Sequence, residues 1–272
     1  MDQYRVFGNP IAQSRSPFIH QSFALANKQQ LDYKTQLVEL ENFSAAVHHF
    51  ITLGGKGINV TVPFKEQALL LSDELTDRAR LAGAVNTLSF EKGKIKGDNT
   101  DGAGLVQDLQ RNNISLKNSR ILLLGAGGAA KGVILPLLAQ DPERITVANR
   151  TLSKAEIMCQ NFDDKRLTAC EFSECIDMSF DLIINATSAS LSGNIPAIPS
   201  SLINSSVICY DMVYSKVLTP FLAWAKKQGA SKVIDGLGML VGQAAVSFYV
   251  WRGILPLVEP VLLDLRTSLE DS

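Results

Sequence analysis

The chain has 272 residues, 46% of them hydrophobic and 19% charged, so it can bury the core of one large or two smaller domains. Its net charge of -1 and pI near 6.3 provide no broad basic field for nucleic acid or an anionic membrane, which favours small-molecule partners. No CxxC pair, metal-ligand histidine spacing, signal peptide or bilayer-length apolar run occurs, so we expect a cytoplasmic protein in a reducing compartment, without a structural metal.

Strand-like and helix-like segments alternate through the first third of the chain. Apolar runs of strand length occupy residues 4–8, 33–40 and 57–62, and helical patterns occupy 17–26, 41–53 and 63–72. A hairpin is predicted over 86–99, with its turn at Lys92 and Gly93. The alternation predicts an α/β fold with mostly parallel strands, and the polar stretch GDNTDG places a domain boundary near Gly102.

A second alternating series follows this boundary. It starts with a helix over 102–113 and continues with strand-containing segments at 120–132, 144–151, 180–188, 206–214 and 232–239. Helices between most of these strands make the series typical of a dinucleotide-binding fold. The last segments, 239–251 and 256–266, are predicted to be helical. The first of them is apolar on nearly every side, which predicts a buried helix.

A glycine-rich loop stands at the start of this second series. Gly125, Gly127 and Ala130 follow a buried strand and open a helix, as the GxGxxG/A dinucleotide fingerprint requires. The predicted cofactor contacts of the loop are Gly125, Ala126, Gly127, Gly128 and Ala129. The pattern disfavours a phosphate loop for nucleoside triphosphates, because Ala130 replaces its glycine and Gly132 replaces the Ser or Thr that would hold magnesium. The alternative is a glycine turn that only joins strand to helix.

The end of the next strand indicates which dinucleotide is bound. An NAD site usually carries an acid there, whereas this strand ends in Asn149, Arg150 and Thr151, with Lys154 beyond. A guanidinium, a hydroxyl and an ammonium suit a 2′-phosphate better than a neutral ribose, so the predicted cofactor is NADP(H). The alternative is that Arg150 and Lys154 are solvated charges, although cations in a first helical turn oppose the helix dipole.

Polar side chains follow several strands of the first domain, where ligands bind in open α/β sheets. They are Ser14, Ser16, Thr61, Lys65, Asn86, Asn99 and Asp101. Each has an ordinary alternative role, because Ser16, Asn86 and Asp101 could cap or begin helices and lysines near element ends usually lie in solvent. Gln243, an amide on an apolar helix, needs a hydrogen-bonding partner, either a substrate hydroxyl or a core carbonyl.

Eight ordered motifs resemble the shikimate dehydrogenase family over nearly the whole chain. They are FGNPIAQSRSPFIH, GINVTVPFKE, AGAVNT, GDNTDG, GAGGAAKG, NRT, YDMVY and DGLGMLVGQAA. The resemblance implies an N-terminal α/β substrate-binding catalytic domain, residues 1–102 plus 237–272, on which the C-terminal helices pack back. It implies a Rossmann-type NADP-binding domain over 103–236.

The resemblance also implies reversible NADPH-dependent reduction of 3-dehydroshikimate to shikimate, on the route to chorismate and the aromatic amino acids. It makes Lys65 and Asp101 the catalytic pair. It implies substrate contacts from Ser14, Ser16, Thr61, Asn86, Tyr214 and Gln243. Further cofactor contacts are predicted at Met212, Gly236 and Asp77. The expected assembly is a monomer or a homodimer.

Three positions depart from the common family pattern. Ser190 and Leu191 stand where Gly and Met are frequent, and Lys154 stands where Arg is frequent. One alternative function is a dual-specificity quinate/shikimate dehydrogenase, although that relative typically has an acid after the second dinucleotide-fold strand. Another is a regulator that senses NADP without turning it over.

Overall fold

The computed structural model describes residues 1–271 and divides them into two compact units. Unit 1 comprises Met1–Gly104 and Leu240–Thr267, and unit 2 comprises Leu105–Met239 with the chain from Ser268 onward. The predicted domain limits, 1–102 with 237–272 and 103–236, stay predictions. No described helix is long and apolar enough to cross a membrane.

Unit 1 is built on a six-stranded sheet with the strand order β2-β1-β3-β5-β6-β4. Its strands are β1 (Asp2–Gly8), β2 (Leu31–Leu37), β3 (Gly57–Val60), β4 (Glu74–Leu75), β5 (Thr87–Glu91) and β6 (Lys94–Asp98). The helices that begin before residue 100 are α1 (Ser16–Ala26), α2 (Phe43–Thr52), α3 (Lys65–Leu71) and α4 (Asp77–Ala82).

The directions of the strands bring three chain segments together at one end of this sheet. β1, β2 and β3 are parallel, β5 runs antiparallel to β3, and β6 runs antiparallel to β5. The end of β3, the start of β5 and the end of β6 are therefore adjacent. Asn86 makes the junction, because its carbonyl accepts from the Val60 amide at 2.8 Å and its amide donates to the Asp98 carbonyl at 3.0 Å.

The apolar core of unit 1 sets the direction of Lys65. Phe64 is fully buried and stacks on Phe43 with 5.0 Å between ring centroids, and Ala68 is buried one helical turn later. Phe64 and Ala68 thus face the core from the start of α3. Lys65 is rotated from them by about 100° around the helix axis, which turns it out of the core.

Unit 2 is built on a fully parallel six-stranded sheet with the order β12-β11-β10-β7-β8-β9. Its strands are β7 (Arg120–Leu124), β8 (Arg144–Ala148), β9 (Leu167–Cys170), β10 (Leu182–Asn185), β11 (Ile208–Asp211) and β12 (Lys232–Asp235). The remaining α-helices of the chain are α5 (Asp101–Arg111), α6 (Gly128–Leu138), α7 (Leu152–Phe162), α8 (Pro220–Lys227), α9 (Leu237–Arg252) and α10 (Glu259–Glu270). Apolar clusters cover both faces of the sheet, as expected of a doubly wound fold.

The predicted α/β class and its two sheets are confirmed, including the hairpin of β5 and β6. Lys92 and Gly93 both have positive φ, at 51° and 76°, as a tight hairpin turn requires. The buried character of the first C-terminal helix is also confirmed, since α9 contributes Val241, Ala244 and Phe248 to the core. The sequence prediction omitted β4, α4 and β9, which are short elements of two, six and four residues.

His20 on α1 is an unusual part of the unit 1 core. Its side chain is fully buried, and neither ring nitrogen has a hydrogen-bond partner among the described residues. The ring stacks on Tyr33 with 4.2 Å between centroids. Burial lowers the pKa of His20 from its ordinary 6.5 to about 3, and nearby Asn59, whose amide is committed to other partners, opposes this only weakly. The folded protein therefore keeps this imidazole neutral.

The burial of neutral His20 should make the folded state sensitive to mild acid. Below pH 6.5 the unfolded chain takes up a proton at His20 that the folded chain does not bind until about pH 3. The free energy of unfolding should thus fall as pH falls, by about 2 to 3 kcal/mol between pH 6.5 and 4.5. Urea unfolding at several pH values measures this slope, and His20→Phe should flatten it.

The exposed His48 provides the control for this experiment. His48→Phe should keep the wild-type slope, since that position lies outside the core. An equal pH dependence in wild type and His20→Phe would show that other groups control acid stability.

Candidate active site

Lys65 and Asp101 form an ion pair where the end of β3, the start of β5 and the end of β6 meet in unit 1. Lys65 Nζ lies 2.5 Å from Asp101 Oδ2, and the two side chains are 30% and 13% exposed. Lys65 is the first residue of α3 and Asp101 is the first residue of α5. The pair is thus sheltered but still reachable from solvent, which a structural ion pair in the core would not be.

The second carboxylate oxygen of Asp101 is held by Asn86. Asn86 Nδ2 donates to Asp101 Oδ1 at 2.7 Å, while Asn86 Oδ1 accepts from the Thr100 amide at 2.9 Å. The side chain therefore bridges the start of β5 to the start of α5. Asn86 caps no helix here, and Asp101 begins α5 while its carboxylate faces Lys65.

The loop before Asp101 is fixed by a buried carboxylate. Asp98 Oδ1 accepts from Thr76 Oγ1, Arg78 Nε and the Asn99 amide, each at 2.7 Å, and Oδ2 accepts from Arg78 at 2.6 Å. Burial alone would raise the pKa of Asp98, but the hydrogen bonds and charge of Arg78 outweigh it, so the pKa is lowered. Asn99 then accepts from the Asp101 amide at 3.1 Å. These bonds give Asp101 a defined starting position.

Gln243 reaches the same cluster from α9. Its Oε1 lies 3.4 Å from Asn86 Nδ2 and from Thr100 Oγ1, and its Nε2 donates to the Leu240 carbonyl at 2.9 Å. The structure thus satisfies the amide with protein groups, yet the long 3.4 Å contacts leave its oxygen weakly bound. The prediction that C-terminal helices pack on the first domain is confirmed by these contacts.

Ser14, Ser16 and Thr61 are the other predicted substrate contacts of unit 1. Ser14 Oγ accepts from the Ser16 amide at 3.3 Å, just before α1. Ser16 is buried, whereas Ser14 and Thr61 are partly exposed. The N-cap position of α1 is Arg15 rather than Ser16, its side chain makes no capping hydrogen bond, and Pro17 lies in the first turn. Thr61 follows β3, and a Cβ on Gly8 would collide with its methyl group.

Unit 2 has a cavity of about 770 Å³ at the carboxyl ends of β7 and β10. These two strands are neighbours in the sheet but not in the chain, which is the switch point where ligands bind in such folds. Its lining includes the predicted loop residues Gly125, Ala126, Gly127, Gly128 and Ala129, together with Asn149 and Arg150. The predicted strand, turn and helix around the glycine loop are confirmed.

Gly125 and Gly127 are needed in the loop for different reasons. Gly125 has φ of +105°, and a Cβ there would also press on Thr187 at 3.1 Å. Gly127 has ordinary extended backbone, but a Cβ there would meet nothing within 4 Å. It points into open space in front of α6, where a pyrophosphate would approach the helix N-terminus. This space and the cavity volume fit a dinucleotide.

The residues after β8 have unused donors at the start of α7. Thr151 is the residue before this helix, and its side chain makes no capping hydrogen bond. Arg150 and Lys154 are exposed, and neither forms an ion pair with another residue of the described chain. Asn149 donates to the Thr151 carbonyl at 2.9 Å and shapes the turn. The arrangement is suited to an anion such as a 2′-phosphate.

Met212, Tyr214 and Gly236 lie after β11 and β12 in unit 2. A Cβ on Gly236 would collide with the Met212 carbonyl, so these two loops touch only because residue 236 is glycine. Tyr214 is partly buried. Asp77 instead lies in unit 1, at the start of α4, where it is exposed and pairs with Arg80 at 2.9 Å. The cofactor role of Met212, Gly236 and Asp77 and the substrate role of Tyr214 stay predictions.

The unusual Ser190 has a structural partner. Its hydroxyl donates to Asp211 Oδ2 at 2.6 Å, and Thr219 donates to the same oxygen at 2.6 Å. Asn185 donates to the other oxygen of Asp211 at 3.1 Å. This buried cluster connects the loops after β10 and β11. Leu191 beside it is 74% exposed.

Sequence reasoning missed the outer wall of the unit 2 cavity. The wall is formed by residues 186–189, 192 and 194–197, which follow β10. The signal was the NATS segment after an apolar strand, since the strand next to the glycine loop must also end at the switch point. The polar residues beneath the Lys65 pair, such as Asn59, Thr87 and Ser247, were also missed.

The parallel sheet with a glycine turn at its switch point defines a dinucleotide-binding protein of Rossmann type. Family models match the chain in three parts: "Shikimate dehydrogenase substrate binding domain" over residues 6–88, "Shikimate / quinate 5-dehydrogenase" over 107–193 and "Shikimate 5'-dehydrogenase C-terminal domain" over 236–262. The chain belongs to the shikimate dehydrogenase family.

Individual relatives are similar along their whole length. Shikimate dehydrogenase (NADP(+)) of Colwellia psychrerythraea is 65% identical over 99% of this chain and 98% of its own. The crystal structure of an Ael1 enzyme from Pseudomonas putida is 43% identical, with a TM-score of 0.95 over 97% of this chain and 98% of its own. Shikimate 5-dehydrogenase from Thermus thermophilus, in complex with NADP(H) and shikimate, is 32% identical, with a TM-score of 0.89 over 99% and 100% of the two chains.

Proposed function

We propose that this protein catalyses the reversible reduction of 3-dehydroshikimate to shikimate with NADPH, a step towards chorismate and the aromatic amino acids. The observation that carries the proposal is the Lys65–Asp101 pair, sheltered and held in place by Asn86. It lies in a chain that is 65% identical to an NADP-dependent shikimate dehydrogenase over nearly its full length. The reducing equivalent comes from bound NADPH, which supplies a hydride.

Lys65 is proposed as the acid in the direction of ketone reduction. A ketone that receives a hydride becomes an alkoxide, so a nearby ammonium both stabilises the new negative charge and provides the proton. In the reverse direction the neutral amine accepts the proton of the substrate hydroxyl. The 30% exposure of Lys65 allows the proton to exchange with solvent after each turnover.

Asp101 and Asn86 are proposed to orient Lys65 and the substrate ring. Asp101 accepts from Lys65 at 2.5 Å and from Asn86 at 2.7 Å, so its carboxylate position is defined from both sides. A carboxylate oxygen retains further lone pairs for a ring hydroxyl. Ser14, Ser16, Thr61, Gln243 and Tyr214 are the other proposed substrate contacts, with the two serines at the substrate carboxylate.

The cofactor is proposed to bind in the unit 2 cavity. Its pyrophosphate would face the N-terminus of α6 beside Gly127, and the 2′-phosphate would be held by Arg150, Thr151 and Lys154. In this proposal residues 1–102 with 237–272 form the substrate-binding domain, and residues 103–236 form the cofactor-binding domain, from which Tyr214 adds a substrate contact. A cytoplasmic location stays a prediction from the sequence.

We expect shikimate to be preferred over quinate by about tenfold to a hundredfold in kcat/KM. Quinate carries a hydroxyl on a tetrahedral carbon where shikimate has a flat, unsaturated one. To bind beside Ser14 and Ser16 it must bury this hydroxyl without a partner, at a cost of about 1 to 3 kcal/mol, or tilt the reacting carbon out of position. Steady-state oxidation of both substrates with NADP⁺ at one pH measures the preference.

Each alternative function has its own outcome in this assay. Comparable kcat/KM for the two substrates would assign the chain to dual-specificity quinate/shikimate dehydrogenases. Binding of NADP⁺ without turnover of either substrate would instead identify a dinucleotide-sensing regulator.

A further inference from the structure

A layer of buried polar side chains lies beneath the Lys65–Asp101 pair, inside unit 1. Its members come from β2, β3, β5, α9 and the loop before α5. They are Tyr33, Asn59, Thr87, Ser247 and Thr100, and all are at most 6% exposed. Buried polar groups need partners, and those of this layer bind one another and Asn86. The proposed reaction assigns none of them a role.

The orientation of the Asn59 amide is determined by a backbone carbonyl. Asn59 Nδ2 lies 3.2 Å from the carbonyl oxygen of Asn86, which can only accept. The NH2 group must therefore face that carbonyl, and the amide oxygen must face the opposite way. There Tyr33 Oη lies 2.7 Å from Asn59 Oδ1, so the Tyr33 hydroxyl is the donor of this bond.

The neighbours of the Thr87 hydroxyl determine where its proton points. Asn59 Nδ2 donates to Thr87 Oγ1 at 3.1 Å, which leaves Thr87 its own proton to donate. Two oxygens lie within reach of this proton, Asn86 Oδ1 at 2.9 Å and Ser247 Oγ at 2.8 Å. The amide oxygen can only accept, so Thr87 donates to Asn86, and the Ser247 hydroxyl is then the donor to Thr87. Asn86 Oδ1 also accepts from the Thr100 amide at 2.9 Å. With its oxygen held by two donors, Asn86 must present its NH2 group to Asp101.

These bonds form one directed chain. Tyr33 donates to Asn59, Asn59 to Thr87, Thr87 to Asn86, and Asn86 to Asp101. The Asp101 carboxylate then accepts from Lys65 on its other oxygen. A reversed Asn86 amide would place an oxygen against the carboxylate, which is repulsive, and would free Asp101 to move away from Lys65.

We infer that Thr87 and Tyr33 are positioning residues of the active site, which act through the Asn59 and Asn86 amides to hold the Asp101 carboxylate in register with Lys65. The inference rests on the proposed function. Neither residue needs to touch substrate, because each hydroxyl is buried and already committed to an amide oxygen.

Thr87→Val keeps the shape of residue 87 but removes its hydroxyl, and it should lower kcat for shikimate oxidation by about three- to tenfold, as the loss of one hydrogen bond predicts. Thr87→Ser, which keeps the hydroxyl, should restore kcat to within about twofold of wild type. In an Asp101→Asn background the effect of Thr87→Val should fall below about twofold, because the group on which it acts is gone.

Tyr33→Phe should give a smaller decrease of kcat in the same direction, and Tyr4→Phe is its matched control. Tyr4 is the register partner of Tyr33 on the neighbouring strand and is also buried, but it is not part of the hydrogen-bond chain. Tyr4→Phe should leave kcat within about twofold of wild type. If Thr87→Val does not fold, the inference is tested by comparing the kcat of Tyr33→Phe with that of Tyr4→Phe.

Three results with the Thr87 variants would overturn the inference: wild-type kcat in folded Thr87→Val, no rescue by Thr87→Ser, or equal effects of Thr87→Val with and without Asp101→Asn. Equal kcat values for Tyr33→Phe and Tyr4→Phe would also overturn the inference. Failure of the proposed function is a separate result, because it would appear as absent shikimate oxidation in the wild-type protein.

Discussion

Lys65→Ala should lower kcat for shikimate oxidation by about two to four orders of magnitude, while shikimate still binds. The substitution removes the ammonium that is proposed to stabilise the alkoxide and to exchange the proton, and a methyl group can do neither. Asp101 loses its 2.5 Å partner but keeps the Asn86 bond, so the rest of the substrate site should persist. Steady-state kinetics with NADP⁺, together with calorimetric titration of shikimate, measure the two effects separately.

Lys94→Ala is the matched control for this substitution. Lys94 also forms an ion pair at 2.5 Å, with Glu74, but that pair is at the exposed β4–β6 edge of the same unit. Its removal should leave kcat near wild type. A near-normal kcat in Lys65→Ala would show that Lys65 is an ordinary solvated lysine without a catalytic role. It would contradict the proposed mechanism.

Arg150→Ala should raise KM for NADPH by about ten- to a hundredfold and leave the kinetics with NADH nearly unchanged. A charge-assisted hydrogen bond to a dianion contributes about 1.5 to 3 kcal/mol, and only NADPH carries the 2′-phosphate that can form it. Since Arg150 has no ion-pair partner among residues 1–271, its removal leaves no buried charge uncompensated. NADH is therefore an internal control within the same variant.

Lys227→Ala provides a second control, because Lys227 is an exposed cation at the end of α8. It should not change KM for either cofactor. Equal kcat/KM for NADPH and NADH in the wild-type protein would refute the NADP assignment. Equal losses with both cofactors in Arg150→Ala would show that this residue supports the loop and not the 2′-phosphate.

The parts of the fold that are local in the chain could be predicted from sequence. The glycine turn between β7 and α6 depends on residues that are neighbours in the chain, and so does the Lys92–Gly93 hairpin. The convergence of Lys65, Asn86 and Asp101 could be expected because each stands at a strand end, although the pairing distances could not. Short elements such as β4 have too few residues to show a period.

The polar layer beneath the site could not be predicted in this way. Asn59, Thr87 and Ser247 lie in strands and a helix, where a single polar residue resembles an ordinary solvent-facing position. Only the tertiary structure, in which α9 packs against β3 and β5, shows that they face one another. The wall of the unit 2 cavity could not be predicted for the same reason. Its residues, which lie within 186–197, approach the glycine loop only because β10 and β7 are neighbours in the sheet.

The hydrogen bond between Asn59 and Ser247 joins residues 188 positions apart in the chain. During synthesis the chain emerges from its N-terminus, and domains generally fold as units as they become available. Unit 1 cannot close its polar layer until α9 has left the ribosome, by which time all of Leu105–Met239 has been made. The unit that begins the chain therefore cannot be completed until nearly the whole chain has been made. Until then its Asn59 and Thr87 lack the Ser247 partner, so in a nascent chain that pauses before α9 the polar layer beneath the Lys65–Asp101 pair is incomplete.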